Sequence, residues 1–173
     1  MAILTIPDLH QVIDNPKEIG AFLAKHDVFF DQWTCEVKFS DTSTQEDVLS
    51  AYANDLKPFM DRGGYLTADV ISINSSTENY ESIRAKFLAE HTHSEDEIRF
   101  FVDGQGFFWF NLENAPVFNV LCQKGDLISV PAGTKHWFDA GISNPFVKAI
   151  RIFIDPSGWI PEYTYSGIEK HYE

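Results

Sequence analysis

Two cysteines in 173 residues leave almost nothing for cysteine chemistry to do. Cys35 and Cys122 form no CxxC pair, no zinc ribbon and no disulfide framework, and the expectation for both is a buried thiol in a reducing compartment. Positive charge is also scarce. Thirteen Lys and Arg stand against 26 Asp and Glu, for a formal net charge of −13. Nucleic acid and anionic lipid are bound mainly by Lys and Arg, so neither is an expected partner. No apolar stretch approaches the roughly 20 residues of a membrane helix. The N-terminal MAILTIPDLH lacks the basic start and apolar run of a signal peptide. The expectation is a cytoplasmic protein with no membrane association. Repeats, linkers and low-complexity tracts are absent too, and the length suits one domain with a sizeable core.

What is abundant is aromatic: 15 Phe and 4 Trp. The rhythm of the chain divides it. The lead-in, about residues 1–88, reads as helix-rich. Asn15 followed by Pro16 is a helix start, with Ile19, Phe22 and Leu23 at helical spacing. Ser43 and Glu46 are placed as a capping box, and Val48, Leu49, Tyr52 and Leu56 then form one stripe that runs to Gly63-Gly64. TADVISI reads as a strand and ENYESIRAKFLAE as a further helix. From residue 97 short runs follow one another: EIRFFV, GFFWF, VFNVLC, LISVP, HWFD and VKAIRIFI. Asp103-Gly104, Lys124-Gly125-Asp126, Pro131-Ala-Gly133 and Asn144-Pro145 separate them as turn signals. Such a series predicts an antiparallel sandwich or barrel, with helices ahead of it.

EHTHSEDEIRFF, residues 90–101, carries the chemistry. Strand side chains alternate faces, and His91, His93, Glu97 and Arg99 are all odd-numbered. An unbroken extended stretch would turn all four to one side. Two imidazoles and a carboxylate suit a divalent transition metal. Glu95 or Asp96 could take the place of Glu97 if the strand begins late; Glu97 is favoured because it opens the apolar run. A fourth ligand must come from a neighbouring strand, and His136, after the Pro-Ala-Gly turn, is the candidate. His10, His26 and His171 have no such context.

These motifs resemble those of the cupin superfamily: HxH, three residues, E, six residues, G (His91, His93, Glu97, Gly104), then G, five residues, PxG, two residues, H (Gly125, Pro131, Gly133, His136). Ala85 and Ala140 stand where Gly and Asn are expected, and neither position is a ligand. HTHSEDEIRFFVDGQGFFWF, CQKGDLISVPAGTKHWFDAG and RIFIDPSGWIP further resemble the acireductone dioxygenase family, from about residue 15 to residue 163. The resemblance implies a mainly β fold: a single jelly-roll-like cupin barrel spanning 1–173, with its metal-binding core at about 66–155 and a tail at 156–173. It implies one Fe(II) or Ni(II) per chain, held by His91, His93, Glu97 and His136. Acireductone and O2 are the implied substrates, Arg99 the substrate-binding and catalytic cation, and a monomer the implied state. Phe87 and Phe138 are candidates for the wall around the substrate tail. Arg151, within an apolar strand, binds substrate, braces Glu97 or forms a structural ion pair. The alternatives are another metal-dependent cupin enzyme, such as a diketone or thiol dioxygenase, and a non-catalytic ligand-binding cupin. A sugar-phosphate isomerase would need a phosphate cradle that the sequence does not contain.

Overall fold

A computed structural model describes residues 1–34, 36–40 and 42–172. Cys35, and the expectation attached to it, lie outside the described residues. Among the described residues eleven strands run in chain order: β1 (Ile3–Ile6), β2 (Gln11–Ile13), β3 (Phe29–Gln32), β4 (Thr67–Ile73), β5 (His91–Thr92), β6 (Glu97–Phe110), β7 (Phe118–Gln123), β8 (Asp126–Val130), β9 (His136–Asp139), β10 (Val147–Phe153) and β11 (Glu162–Tyr163). Four α-helices of the described residues accompany them: α1 (Pro16–Ala24), α2 (Gln45–Ala51), α3 (Ala53–Gly63) and α4 (Tyr80–Leu88).

All strand pairings are antiparallel, and β6 organises them. Its first half pairs with β8 and β10, in a sheet ordered β4-β10-β6-β8-β3. Its second half pairs with β7 and β9, in a sheet ordered β2-β1-β7-β6-β9-β5-β11. Asp103-Gly104, expected as a turn between two strands, is instead the place where one 14-residue strand changes sheets. The register slips there between Lys148 and Ala149, which face Asp103 and Phe101. Gly104 takes φ +73°, and a Cβ on it would stand 1.9 Å from the Phe146 carbonyl oxygen. A left-handed backbone with no room for a side chain makes glycine the residue that fits the bend.

The two sheets enclose one core. Leu4, Phe101, Phe108, Phe110, Phe118, Val120, Ile128 and Val147 are among its buried members, as is the Cys122 thiol. The β6–β8–β10 sheet is buried on its other face as well. Ile98, Phe100, Leu127, Ile150 and Ile152 pack there beneath Trp33, Val48, Tyr52 and Leu56. This explains why VKAIRIFI is apolar on both faces: one face lines the barrel, the other carries α2 and α3.

The lead-in departs from expectation in three ways. It contains β1, β2 and β3 as well as helices; runs of three or four residues carry too little periodicity to declare themselves. The capping box forms one residue later than expected. Thr44 Oγ1 accepts from Asp47 N at 3.1 Å and Asp47 Oδ2 from Thr44 N at 2.8 Å, while the Ser43 hydroxyl accepts from Ser40 N. The long second helix is interrupted at Tyr52, whose backbone leaves the helical region (φ −103°, ψ 10°) as its ring settles 4.6 Å from Phe100. The expected N-cap at Asn15 and the stop at Gly64 (φ +72°) are found as read.

Helix α4 is tied to the barrel by a bidentate pair, Arg84 Nε and Nη2 each 2.7 Å from Asp139 at the end of β9. Burial raises the Asp139 carboxyl, but hydrogen bonds from Arg84 and the Gly141 N–H outweigh it and hold the group below its ordinary value.

Two outcomes are expected. Gly104→Ala should cost about 1–3 kcal/mol in backbone strain alone, and should lower the thermal midpoint by several degrees; an unchanged midpoint in calorimetry would show that the bend does not need glycine. Because the folded pKa of Asp139 is depressed, its stabilisation is present above the unfolded carboxylate pKa and is lost as pH falls through the folded value. Asp139→Asn should therefore be less stable than the parent at neutral pH, with the gap closing in acid. A gap independent of pH in urea titrations would remove the ion pair from the account.

Candidate metal centre

β5 is only two residues long, so EHTHSEDEIRFF is not one strand. The chain turns at Ser94–Asp96 and restarts as β6 at Glu97. His91, His93, Glu97 and Arg99 nevertheless all end buried, between 1% and 4% exposed. The carboxylates the sequence left in competition are sorted by this turn. Glu95 Oε2 accepts from the backbone N–H groups of Ile154 and Asp155. Asp96 accepts from Tyr65 Oη–H at 2.8 Å and from Ala132 N at 3.0 Å. Glu97 alone of the three points inward.

His136 arrives by pairing. It stands opposite His91 on β5 and Phe110 on β6. Opposed residues in an antiparallel pair hold their side chains together on one face, and the two imidazole centroids are 4.7 Å apart. The Pro-Ala-Gly turn ahead of β9 is pinned by Gly133 N donating to the His93 carbonyl at 2.9 Å. One donor atom each from His91, His93, Glu97 and His136 lies within 4.8 Å of all the others.

The ring nitrogens show what the cluster is built to do. His91 Nδ1 lies 2.7 Å from the Ala89 carbonyl, His136 Nδ1 2.7 Å from the Thr134 carbonyl and His93 Nδ1 3.4 Å from the Ile160 carbonyl. A carbonyl only accepts, so each Nδ1 carries a proton, and in a neutral ring the Nε2 then presents its lone pair inward. Yet Glu97 Oε2 lies 3.0 Å from His93 Nε2 and 2.9 Å from His136 Nε2. With neutral rings these would be acceptors facing acceptors in a dry interior. Such a set needs a cation at its centre, and three imidazole nitrogens with one carboxylate suit a divalent transition metal.

The electrostatics agree. Burial pushes the Glu97 carboxyl up, but the Arg99 guanidinium beside it overcomes that and holds the group well below the usual carboxylate range. Burial, with His136 alongside, draws His91 down to about 4, so it is a free base at neutral pH. Arg99 Nη2 donates to Glu97 Oε1 at 2.7 Å. Its guanidinium lies 4.5 Å from the Phe138 ring, 5.3 Å from Phe108 and 5.8 Å from Trp159. Arg99 Nε is buried with no hydrogen-bond partner among the described residues.

Phe138 sits against Arg99, and its ring occupies the space where Gly106 lacks a side chain. Phe87 comes from α4 to within 6.4 Å of the His91 ring. Arg151 is farther out, about 30% exposed and forked onto Asp69, its partner across β4. Its described ion pair is that one, and the groups on Glu97 are Arg99, His93 and His136. Trp159, read from sequence as core or rim, stacks over His93 at 6.3 Å and donates from Nε1 to the Asp96 carbonyl at 3.2 Å. No spacing in the sequence could place it there, because the contact is made by the return of the chain after β10.

The chain is 55% identical to an acireductone dioxygenase of Picosynechococcus sp., over 99% of this chain and 97% of the relative. It is 46% identical to one from Pseudomonas syringae pv. tomato, covering 91% and 87%. The structure superimposes on an acireductone dioxygenase from Bacillus anthracis with a cadmium ion in its active center. The TM-score is 0.85 at 32% identity, with 94% of this chain and 98% of the other covered. The model of the ARD/ARD′ family matches residues 7–161, and the chain belongs to that family.

Proposed function

We propose that this protein is the dioxygenase its family membership indicates. It cleaves acireductone, 1,2-dihydroxy-3-keto-5-methylthiopentene, with O2 in methionine salvage. The observation that carries the reading is the inward convergence of three Nε2 lone pairs and the Glu97 carboxylate, with every Nδ1 committed to a carbonyl. His91, His93, Glu97 and His136 would hold one Fe(II) or Ni(II) per chain. Bound there, the ion supplies a Lewis-acidic template for an electron-rich enediolate. With Fe(II) the products are formate and 2-keto-4-methylthiobutyrate; with Ni(II) they are formate, carbon monoxide and 3-methylthiopropionate.

The protein's own part is to bind, orient and keep water out. Arg99 faces the acireductone dianion as the nearby cation, and its unpartnered Nε is a donor for a substrate oxygen. Phe138 and Phe108 keep that guanidinium from turning away. Phe87, Phe138 and Trp159 form an apolar wall suited to a methylthio group, since sulfur packs well on ring edges. Arg151, neutralised by Asp69, backs this wall from the rim with its guanidinium 5.5 Å from the Trp159 ring. The chain acts as a monomeric single domain in the cytoplasm, without nucleic acid.

The test is anaerobic reconstitution with Fe(II) and, separately, Ni(II), followed by acireductone and air. Keto acid with iron and carbon monoxide with nickel are expected. Metal bound without acireductone consumption would point to another cupin dioxygenase. His136→Ala and Glu97→Ala should each lose metal and activity together; an active metal-free variant would overturn the site. Arg99→Ala should retain metal by elemental analysis while kcat falls roughly 10²–10³-fold, the scale for removing one donor to developing charge. Undiminished turnover would make Arg99 structural.

A further inference from the structure

His91 belongs to a strand too short to hold itself. Two residues form few ladder bonds, and β5 is gripped instead by its neighbours β9 and β11. The residue before it, Glu90, is 2% exposed. Its carboxylate makes no ion pair among the described residues. A buried carboxylate without a cation is costly unless several donors meet it. Here three do. Asn111 Nδ2 donates to Oε2 at 2.6 Å, and the Thr164 and Ser166 hydroxyls donate to Oε1 at 2.5 and 2.8 Å.

These donors come from two different places. Asn111 follows β6 directly, one residue beyond Phe110, which stands opposite His136. Thr164 and Ser166 belong to the C-terminal segment after β11, whose Tyr163 pairs with His91 itself. The backbone of Glu90 joins the same knot. Its carbonyl accepts from Thr164 N at 3.1 Å and its N–H donates to Glu169 Oε2 at 3.4 Å. The hydroxyls have a set polarity, because Ser166 N donates to Thr164 Oγ1 and Ile168 N to Ser166 Oγ. Each relay runs from a backbone N–H through a hydroxyl and ends on Glu90.

We infer that Glu90 is a positioning residue for the metal centre: its carboxylate clamps the C-terminal segment and the end of β6 around β5, and so fixes His91 against His136. The inference rests on the metal reading of the cluster. It accounts for a buried acid, beside a ligand but turned away from it, in a segment where an apolar side chain would cost less. Groups that hold a metal-binding histidine in place typically change metal affinity by about 10–100-fold when removed.

The experiment follows Ni(II) release from the loaded protein into excess chelator, with the thermal midpoint of each apoprotein measured alongside. Wild type, Glu90→Gln, Glu90→Ala, Ser166→Ala and Tyr172→Phe are compared. Glu90→Ala should release Ni(II) at least tenfold faster. Glu90→Gln should stay within about threefold of wild type, because its oxygen still accepts both hydroxyls and the Asn111 amide can turn over. Ser166→Ala, which removes a single arm of the clamp, should fall between them and serves if Glu90→Ala does not fold. Tyr172→Phe removes a tie of the same tail to Asp8, and should lower the midpoint without hastening release. Release unchanged in Glu90→Ala and Ser166→Ala would overturn the inference. So would Tyr172→Phe releasing metal as fast as Glu90→Ala or Ser166→Ala, since tail stability alone would then explain the effect. Failure of wild type to take up Ni(II), Fe(II) or Co(II) would remove the metal centre and the inference together, whereas wild-type uptake with unaltered variants removes the inference only.

Discussion

The carboxylate of Glu97 is the constraint around which the protein is arranged. It is buried, ionised, and pressed between a guanidinium and two imidazoles that present lone pairs. Removing an ion from water costs several kcal/mol even after relaxation. Only a positive neighbourhood makes that tolerable. Arg99 supplies part of it from two residues along the same strand face. The remainder is the cation that the four inward-facing ligand atoms call for. The barrel, seen this way, is a dry container that makes a cation at one point strongly favourable.

Strand β6 is the mechanical counterpart of that electrostatic centre. It carries Glu97 and Arg99 in one sheet and, beyond the Gly104 bend, Gly106, Phe108 and Phe110 in the other. The aromatic residues of the second half therefore face the charged residues of the first across the barrel. Phe108 and Phe138 meet Arg99, while Phe110 meets His136. Chain segments outside the barrel complete the site. The turn at 156–159 lays Trp159 over His93, and helix α4, braced by Arg84 on Asp139, delivers Phe87 toward His91. Rigid strands thus carry the ligands and the cation, and the surrounding connections carry the walls.

Much of this was legible in the residues. Short aromatic runs between turn signals announced the β core, and the spacing of two histidine motifs picked out the four clustered residues and the strand-face partner Arg99. Less legible was anything decided by who sits next to whom. Asp103-Gly104 looks like a hairpin turn and is a bend within one strand, because a glycine with positive φ serves either purpose and only the neighbouring Phe146 carbonyl chooses. The parity argument expected His91, His93, Glu97 and Arg99 on one side, and all four are buried although the stretch is broken by a turn. The turn happens to return the chain in phase. Three adjacent acids at 95–97 differ little as a sequence, and their fates diverge because Ile154, Tyr65 and Arg99 lie in three directions.

The sequence alone determined which side chains could bind a metal, how they alternate along the chain and why a β barrel should hold them, since these depend on residue type and short-range periodicity. Tertiary structure alone decided that Arg151 would be matched by Asp69, that Trp159 would cover His93, and that Glu90 would gather Asn111, Thr164 and Ser166. Those partners are separated by up to 82 positions. A buried charge accepts whichever donors packing brings to it, and no local pattern in the chain encodes that choice.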